Sequence, residues 1–443
     1  MISIFINHHF SNEKTYIIDV FFNVFLGLDY QIYVSQEVDD YMIRLENGNT
    51  LIIEDHFFKK FTNTYLDEQN IPDKIIYATS ALFPEKDLPV IYGTNKITEE
   101  RKDDKRTIIS GVDIFASGFF MLTRWEEYVT RGRDEQDRFL GECSLAFRNN
   151  FLHRPVVNEY VEFLWNVLRS LEINQIRIKR DYELIPTHDV DFLFFPKFSW
   201  SDLWHNLRLK GINESLAKIK YTMLSDPYDT FSYFMDLSES IYTKARFYFV
   251  DGQANYDAQS YLNTKRFHKL TNEIRQRNHV IGFHSGYYAF NDAAKANEEK
   301  ERLENSIKNS VKEGRQHFLR FKAPYTWKVQ EQIGMQIDCT LGYHDQAGFR
   351  CGVCYEYPVF DFLERKGMNL WERPLIAMDT TLVFYNKYHP DQTRKKLQEL
   401  LEQVKKYDGQ FVLLWHNTAV KNGRWQEFRD VFEQLYSQFL NII

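Results

Sequence analysis

Thr187-His188-Asp189-Val190-Asp191 is the stretch of sequence that decides how this chain is interpreted. It follows a short apolar run that contains Leu184 and Ile185, and it precedes a second one at residues 192–195. Two carboxylates that lie two positions apart at the end of a strand point to the same side. Side by side in a pocket they repel each other and raise their pKa values, unless a cation lies between them. The stretch therefore predicts a bound metal ion or a shared proton.

From Tyr182 onward, segments with the composition of strands alternate with helical segments. Strands are predicted at 184–189, 245–250, 280–284, 318–321, 337–341, 370–374 and 411–416, and helices at 257–276, 293–313 and 391–407. Such alternation indicates an α/β fold with parallel strands joined by crossovers. Seven strands in about 260 residues favour a closed or nearly closed β/α barrel over an open sheet.

The first part of the chain is predicted to fold separately. Residues 1–180 are expected to form an α+β domain of unspecified fold, and residues 181–443 the barrel domain. Within the first domain, helices are predicted at 114–128 and 156–171, and strands at 43–45, 50–53 and 74–77. The charge-rich stretch 177–181 marks the expected boundary.

The composition excludes several classes of protein. The 443 residues carry a net charge of −7, and no segment is dominated by lysine and arginine, which argues against a nucleic-acid partner. No run approaches ~18 apolar residues, and the N-terminal residues lack the pattern of a signal peptide, so a cytoplasmic protein without a membrane span is expected. Cys351 and Cys354 form a C-x-x-C without the second pair that a zinc ribbon needs, so reduced thiols are expected.

Further polar residues lie at or near predicted strand ends. His284 ends one strand, Arg315 and His317 precede another, and His416 follows the apolar run 411–414. Each of them alone is equally consistent with an ordinary turn or strand cap. In β/α barrels, however, the chemistry lies at the carboxyl ends of the strands, where Asp189, Asp191, Asp251, His284 and His416 are expected.

The chain from about residue 182 to 420 resembles the polysaccharide deacetylase family of carbohydrate esterases. That family has T-F-D-D-G on its first strand, where this chain has T-H-D-V-D. Three further family motifs, T-F-F-V-x-G, G-H-x-I-G-x-H-S-x-x-H and L-x-L-H, resemble residues 246–252, 278–288 and 413–416. The resemblance covers a little over half of the chain and none of residues 1–180. It implies a distorted (β/α)7 barrel and a divalent metal, usually zinc, held by one aspartate and two histidines.

The resemblance also implies a role for each matching residue: a catalytic base at Asp189, metal ligands at Asp191 and His284, and a catalytic acid at His416. Because Val190 separates the two aspartates, which are adjacent in the family, their roles could be exchanged. An arginine near the base would keep it ionised and oriented. Arg315 is preferred to Arg320 for this role, since His317 then points the same way.

One ligand of the family is missing from this sequence. The second metal-binding histidine should stand at position 288, where this chain has Tyr288. His317, Asp251 or His188 could replace it, and His317 is preferred. The substrate contacts are expected on aromatic and polar residues of the surrounding loops, namely Tyr288, Tyr325, Trp327, Asp345, Arg350 and Trp371.

These observations predict a metal-dependent hydrolase that removes an N- or O-acetyl group from a carbohydrate or polysaccharide precursor. Two alternatives remain open. One is a catalytically degenerate barrel that only binds glycan, which Tyr288 favours, and the other is a C–N hydrolase acting on a non-sugar amide. The sequence does not indicate the sugar, the metal or the oligomeric state.

Overall fold

The computed structural model describes residues 1–195, 226–252, 256–257, 260–421 and 423–440. The chain forms two compact units, each assembled from separate stretches of sequence. The first unit contains residues 1–182, 319–376 and 399–410, and the second contains residues 183–318, 377–398 and 411–443. Among the described residues, no helix is both long and apolar enough to cross a membrane.

The strands of the described residues are numbered in chain order. They are β1 Ile2–Asn7, β2 Tyr30–Ser35, β3 Tyr41–Arg44, β4 Thr50–Ile53, β5 Ile76–Ala78, β6 Leu88–Val90, β7 Gly93–Lys102, β8 Lys105–Val112, β9 Glu183–Val190, β10 Arg246–Val250, β11 Val280–Ser285, β12 Glu313–Gln316, β13 Ile337–Asp338, β14 Tyr357–Asp361, β15 Lys366–Glu372, β16 Ala377–Met378 and β17 Gln410–Leu414.

The α-helices are numbered in the same way. They are α1 Ser11–Asp19, α2 Ile114–Thr123, α3 Trp125–Val129, α4 Leu145–Arg148, α5 Val156–Ser170, α6 Phe231–Ser240, α7 Lys265–Gln276, α8 Ala293–Ile307, α9 Tyr325–Gln332, α10 Pro390–Lys406 and α11 Arg429–Leu440. Short π-helical segments cover Val20–Phe25 and Thr381–Tyr385, and 3-10 turns include His317–Leu319.

The first unit contains a mixed six-stranded sheet in the order β2-β1-β3-β4-β8-β7, together with three strands in the order β14-β15-β13. Helix α2 is buried along its whole length, and α5 buries one face that includes Tyr160 and Leu164. The α+β domain expected for the N-terminal residues stays a prediction. The division at residue 180 stays a prediction.

The second unit contains six strands in the order β12-β11-β10-β9-β17-β16. Strand β9 pairs in parallel with β10, β10 with β11, and β11 with β12. Seven of the eight residues of β9 are buried, as expected for a strand that is covered on both faces. The α/β class with a parallel sheet is therefore confirmed.

The prediction of a closed or nearly closed barrel is wrong. In the part of the chain that the structure describes, β12 and β16 are not hydrogen-bonded to each other, so this run of strands stays open. Strand β16 has only two residues and offers few main-chain groups for further pairing. Strands β9 and β17 are nevertheless neighbours. They are the first and last strands of this unit, and a barrel would pair them in the same way.

Two local predictions also differ from the structure. The helix predicted at 114–128 is broken at Arg124, which adopts a left-handed conformation (φ 55°) and separates α2 from α3. Its guanidinium is buried and donates to Glu127 Oε1, which stabilises the break. Residues 318–321 do not form the predicted strand. The strand of this region, β12, ends at Gln316, and His317 begins a 3-10 turn.

The remaining elements match within a few residues at most boundaries. The helix predicted at 257–276 begins only at Lys265, where Thr264 caps it by accepting from the Phe267 N–H, and residues 258–259 lie outside the described residues. The helix predicted at 293–313 ends at Ile307. Cys351 and Cys354 are free, buried thiols, as predicted.

Candidate metal centre

The register of the parallel strands aligns several polar residues at one edge of the sheet in the second unit. Asp189 of β9 lies opposite Tyr248 of β10, and His284 of β11 lies opposite Arg315 of β12. Because parallel strands carry their carboxyl ends on the same edge, Asp191 follows β9 at that edge too. The polar residues Asp189, His284 and Arg315 are buried within these strands.

Three side chains converge at this edge. Asp191, His284 and His317 each offer a ligand atom, and these three atoms all lie within 4.8 Å of one another. Asp191 Oδ1 is 3.3 Å from His284 Nε2 and 3.5 Å from His317 Nε2. One carboxylate oxygen and two imidazole nitrogens are donors that Zn²⁺ and similar divalent ions bind.

The hydrogen bonds of the two imidazoles leave the facing nitrogens free to bind a cation. His284 Nδ1 lies 2.9 Å from the carbonyl oxygen of Arg315, and His317 Nδ1 lies 2.7 Å from Asp257 Oδ1. Both partners are acceptors, so in the neutral form of each ring Nδ1 carries the proton and Nε2 keeps its lone pair. Asp191 Oδ1 is buried and has no hydrogen-bond partner, which is the state expected of a ligand atom. These residues therefore fit a divalent metal ion.

The charges around Asp191 keep it ionised. Burial raises the pKa of this carboxyl, but the imidazoles of His317, His284 and His416 outweigh that effect and hold the pKa well below its usual range. The pKa of His284 is raised. Burial lowers it, but the carboxylates of Asp189 and Asp191 raise it by more.

Asp189 is held by an arginine. The carboxylate is buried, and its Oδ1 accepts a hydrogen bond of 2.8 Å from Arg315 Nη1, while Oδ2 lies 3.8 Å from His284 Nε2. The Arg315 guanidinium is fully buried and lies 5.1 Å from the centre of the Tyr248 ring. Arg320, the alternative, instead donates from Nε to the carbonyl oxygen of Gln136.

His416 faces the same carboxylates from β17. Its Nε2 lies 3.9 Å from Asp191 Oδ2, and its Nδ1 lies 2.8 Å from Asp379 Oδ1. The other oxygen of Asp379 accepts from the His416 main-chain N–H at 2.7 Å. Burial lowers the pKa of His416, but Asp379 and the site aspartates together raise it to about 10. At neutral pH both ring nitrogens of His416 therefore carry a proton, and the ring is positively charged.

The other two candidates for the missing ligand point elsewhere. His188 is fully buried, stacks on Phe234 and donates from Nδ1 to the carbonyl oxygen of Trp415 at 2.6 Å. Asp251 pairs with Arg302 Nε at 2.7 Å. Of the three candidates, the structure brings only His317 to Asp191 and His284.

The residues predicted to contact substrate divide into exposed and buried groups. Tyr288 is half-exposed and packs near Tyr256, which is also half-exposed. In the first unit, Tyr325 and Trp371 are likewise exposed, and Asp345 accepts from the Gly141 N–H. Trp327 and Arg350, by contrast, are buried. Trp327 donates to Glu372 and Arg350 pairs with Glu127, so neither has a free surface for a ligand. Their substrate role stays a prediction that this burial does not support.

Two carboxylates of the site do not appear among the predicted ligands or catalytic residues. Asp379 follows the short strand β16, and its position after a strand end was the only signal for it. Asp257 lies at the start of the helix predicted at 257–276, after the predicted strand 245–250, and no fixed spacing connects it to His317. Both act through histidines, which only the folded chain brings next to them.

Comparison with known protein families identifies a match for the N-terminal part of the chain. Residues 2–172, less than half of the chain, match a family of unknown function (DUF7033). No curated protein matches the sequence.

Several solved structures resemble part of the chain. One is a proposed polysaccharide deacetylase from Mycobacterium smegmatis (13% identity, 60% of this chain and 90% of that chain, TM-score 0.39). Another is the polysaccharide deacetylase Bc1974 from Bacillus cereus (15%, 59% and 86%, TM-score 0.27). A third, BA3943 from Bacillus anthracis, is a CE4 family pseudoenzyme (11%, 58% and 62%, TM-score 0.30). A TM-score below 0.5 does not establish a shared fold, and these names describe those proteins alone.

Proposed function

We propose that this protein is a metal-dependent hydrolase that removes an acetyl group from a carbohydrate or polysaccharide precursor. The observation that carries the proposal is the convergence of Asp191, His284 and His317, whose facing donor atoms lack competing hydrogen bonds. A purely structural cluster of these groups would pair its donors with its acceptors, and this one leaves them directed at a common point.

Asp191, His284 and His317 would hold the divalent ion, and zinc suits their nitrogen and oxygen donors. Such an ion, when bound, supplies Lewis acidity toward a carbonyl oxygen and lowers the pKa of a bound water. The protein contributes the orientation of the three ligands. Two of them are fixed by hydrogen bonds from their second ring nitrogen, to the Arg315 carbonyl and to Asp257.

Asp189 is proposed as the general base. Its carboxylate is buried beside His284 and anchored by Arg315 at 2.8 Å, so its orientation is set before substrate arrives. A carboxylate in this position can accept a proton from an attacking water.

His416 is proposed as the general acid. The ring is protonated at neutral pH because Asp379 and the site aspartates stabilise the imidazolium. Its Nδ1 is held by Asp379, so its Nε2 is the atom that can donate the proton to a leaving amine or alcohol. A protonated Nε2 also stabilises negative charge that develops on the substrate oxygen.

The half-exposed Tyr288 and Tyr256 support a carbohydrate substrate, because aromatic rings pack well on the apolar faces of sugars. The alternative of a degenerate, glycan-binding protein depended on the missing histidine at 288. His317 weakens that alternative, because it supplies a third donor at the site. Zinc as the native ion and a cytoplasmic location stay predictions.

Metal stoichiometry and acetate release measured on the same protein test this proposal. We expect about one tightly bound Zn²⁺ per chain and acetate release from an acetylated amino-sugar oligosaccharide. Asp191→Asn should lose both properties, whereas Asp189→Asn should keep the metal and lose acetate release. If the two variants behave in the reverse way, the roles of the two aspartates are exchanged.

Three results would overturn the proposal. A wild-type protein that binds no stoichiometric metal would remove its basis. A protein that binds Zn²⁺ and the oligosaccharide but releases no acetate would favour the degenerate, glycan-binding alternative. Acetate release from a non-sugar acetamide, but not from the oligosaccharide, would favour the C–N hydrolase alternative.

A further inference from the structure

His317 is not placed by a regular element. It begins a three-residue turn directly after β12, and the next residue, Phe318, has a left-handed conformation (φ 60°). A strand fixes the direction of its side chains, but such a turn does not. Something other than secondary structure must therefore hold the His317 ring toward Asp191.

Asp257 provides that contact. Its side chain is fully buried, and its Oδ1 lies 2.7 Å from His317 Nδ1. The same oxygen accepts the Tyr287 main-chain N–H at 3.0 Å, which ties Asp257 to the loop after β11. An anionic acceptor on Nδ1 fixes the tautomer, orients the ring and makes Nε2 a better donor to a cation.

A glycine makes room for this carboxylate. A Cβ atom added at Gly252 would lie 2.0 Å from Asp257 Oδ2 and 2.2 Å from its Cγ. No side chain other than hydrogen can occupy that position while Asp257 keeps its place. The contact of Asp257 with His317 thus depends on a second feature of the sequence, which is independent of the hydrogen bond itself.

We infer that Asp257 is a positioning residue that makes His317 a metal ligand, and that Gly252 is required to admit it. This inference rests on the proposed function, because it concerns the same metal centre. It adds that the third ligand is supported by a carboxylate from the β10–α7 connection, which no ligand pattern in the sequence identifies.

Zn²⁺ affinity, measured by competition with a chromophoric chelator, is the test. Asp257→Ala should weaken Zn²⁺ binding by roughly 10- to 100-fold, the range typical of lost outer-shell partners. Asp257→Asn should have a smaller effect, because the amide oxygen still accepts from Nδ1 but carries no charge. With Co²⁺ as the probe, the visible absorption band of the bound ion should shift in both variants.

Matched controls separate positioning from general stability. Asp251→Asn removes another buried carboxylate of the same connection, which pairs with Arg302, and it should leave Zn²⁺ affinity unchanged. Gly252→Ala should weaken Zn²⁺ binding as Asp257→Ala does. Gly367→Ala, where an added Cβ meets nothing within 4 Å, should not. Thermal unfolding of each metal-free variant shows whether it is folded.

The outcomes distinguish this inference from the proposed function. If folded Asp257→Ala and Gly252→Ala bind Zn²⁺ as tightly as the wild type, the inference is overturned and the metal centre stands. If the wild type itself binds no stoichiometric Zn²⁺, the proposed function fails. If His317→Ala retains full affinity, His317 is not a ligand and the inference fails with that assignment.

Discussion

Two buried clusters of charged residues, one in each unit, differ in how completely their polar atoms are paired. In the first unit, Glu127 accepts from Arg124 Nε and Arg350 Nε at 2.9 Å through one oxygen and from Arg350 Nη2 at 2.6 Å through the other. In the second unit, Asp191 Oδ1 is buried without a hydrogen-bond partner between two imidazole nitrogens.

The difference separates a structural role from a functional one. Burial raises the pKa of Glu127, but Arg350 and Arg124 overcome this effect and bring the pKa to about 2. Glu127 is therefore ionised and paired with both guanidinium groups. The cluster around Asp191 satisfies its outer nitrogens and leaves its inner donor atoms open. Burial and charge occur in both clusters, so an unpaired donor set is the better guide to a binding site.

The largest effect is expected from breaking the closed cluster. Glu127→Gln leaves two buried guanidinium groups without their shared anion, so we expect a loss of about 3–5 kcal/mol in the free energy of unfolding. Chemical denaturation measures it. Glu364→Gln, which removes an exposed partner of Lys328, is the control and should leave the free energy of unfolding nearly unchanged. Equal losses would contradict the distinction between the clusters.

The pH dependence of stability sharpens the same comparison. The folded-state pKa of Glu127, about 2, lies below its ordinary value of 4.5. The ion pairs therefore contribute fully above pH 4.5, and their contribution is lost as the pH falls from 4.5 toward 2. The stability of Glu127→Gln should fall less steeply than that of the wild type over this range. Parallel curves would contradict this assignment.

The second effect concerns the acid of the open cluster. His416→Ala removes the proposed proton donor, and we expect kcat for acetate release to fall by roughly 10²- to 10⁴-fold. Zn²⁺ affinity should change little, because the three proposed ligands remain. Asp379→Asn should lower kcat less, since it acts through His416. Unchanged kcat in His416→Ala would exclude it as the acid.

The third effect concerns metal binding to the open cluster. Zn²⁺ at 100 times its Kd should stabilise the wild type by about 2.7 kcal/mol, because the ion binds the folded state. Thermal unfolding with and without Zn²⁺ measures this gain. His284→Ala should lose it, and Glu127→Gln should retain it wherever that variant is folded. A similar gain in His284→Ala would mean that Zn²⁺ binds elsewhere.

The smallest effect is expected at the exposed rings. Tyr256→Ala and Tyr288→Ala should each raise KM for an acetylated oligosaccharide by roughly 2- to 12-fold, equivalent to about 0.5–1.5 kcal/mol of lost stacking. Their kcat values should stay near that of the wild type, because neither ring is proposed to take part in the chemistry. Tyr242→Ala, an exposed tyrosine after α6, is the control. An equal change in this control would argue against a sugar contact.

Much of the open cluster follows from residues at strand ends. The sequence places Asp189 and His284 near the ends of their strands and His416 after one, and parallel strands present their carboxyl ends on one edge. That edge could be predicted because hydrophobic runs and strand alternation are local signals. The closure of the barrel could not, because it depends on pairing between strands that are far apart in the chain.

Residues 341–352, which contain the predicted substrate contacts Asp345 and Arg350, show where local signals mislead. Their glycines and hydrogen-bonding side chains are typical of a substrate loop, yet most of them are buried. Arg350 is neutralised there by Glu127, a residue more than two hundred positions earlier. A partner at that distance in sequence cannot be inferred from the loop itself.

The sequence by itself determined which segments form most of the strands of the site-bearing edge and the donor chemistry available there, because strand-forming runs and titratable side chains are local features of the sequence. The sequence already favoured His317 as the third ligand, but only the tertiary structure decided that it joins Asp191 and His284, that Asp257 and Asp379 orient two of the histidines, and that Glu127 pairs with both Arg124 and Arg350. Each of these depends on distances of a few ångströms between remote segments, and no spacing along the chain encodes such distances.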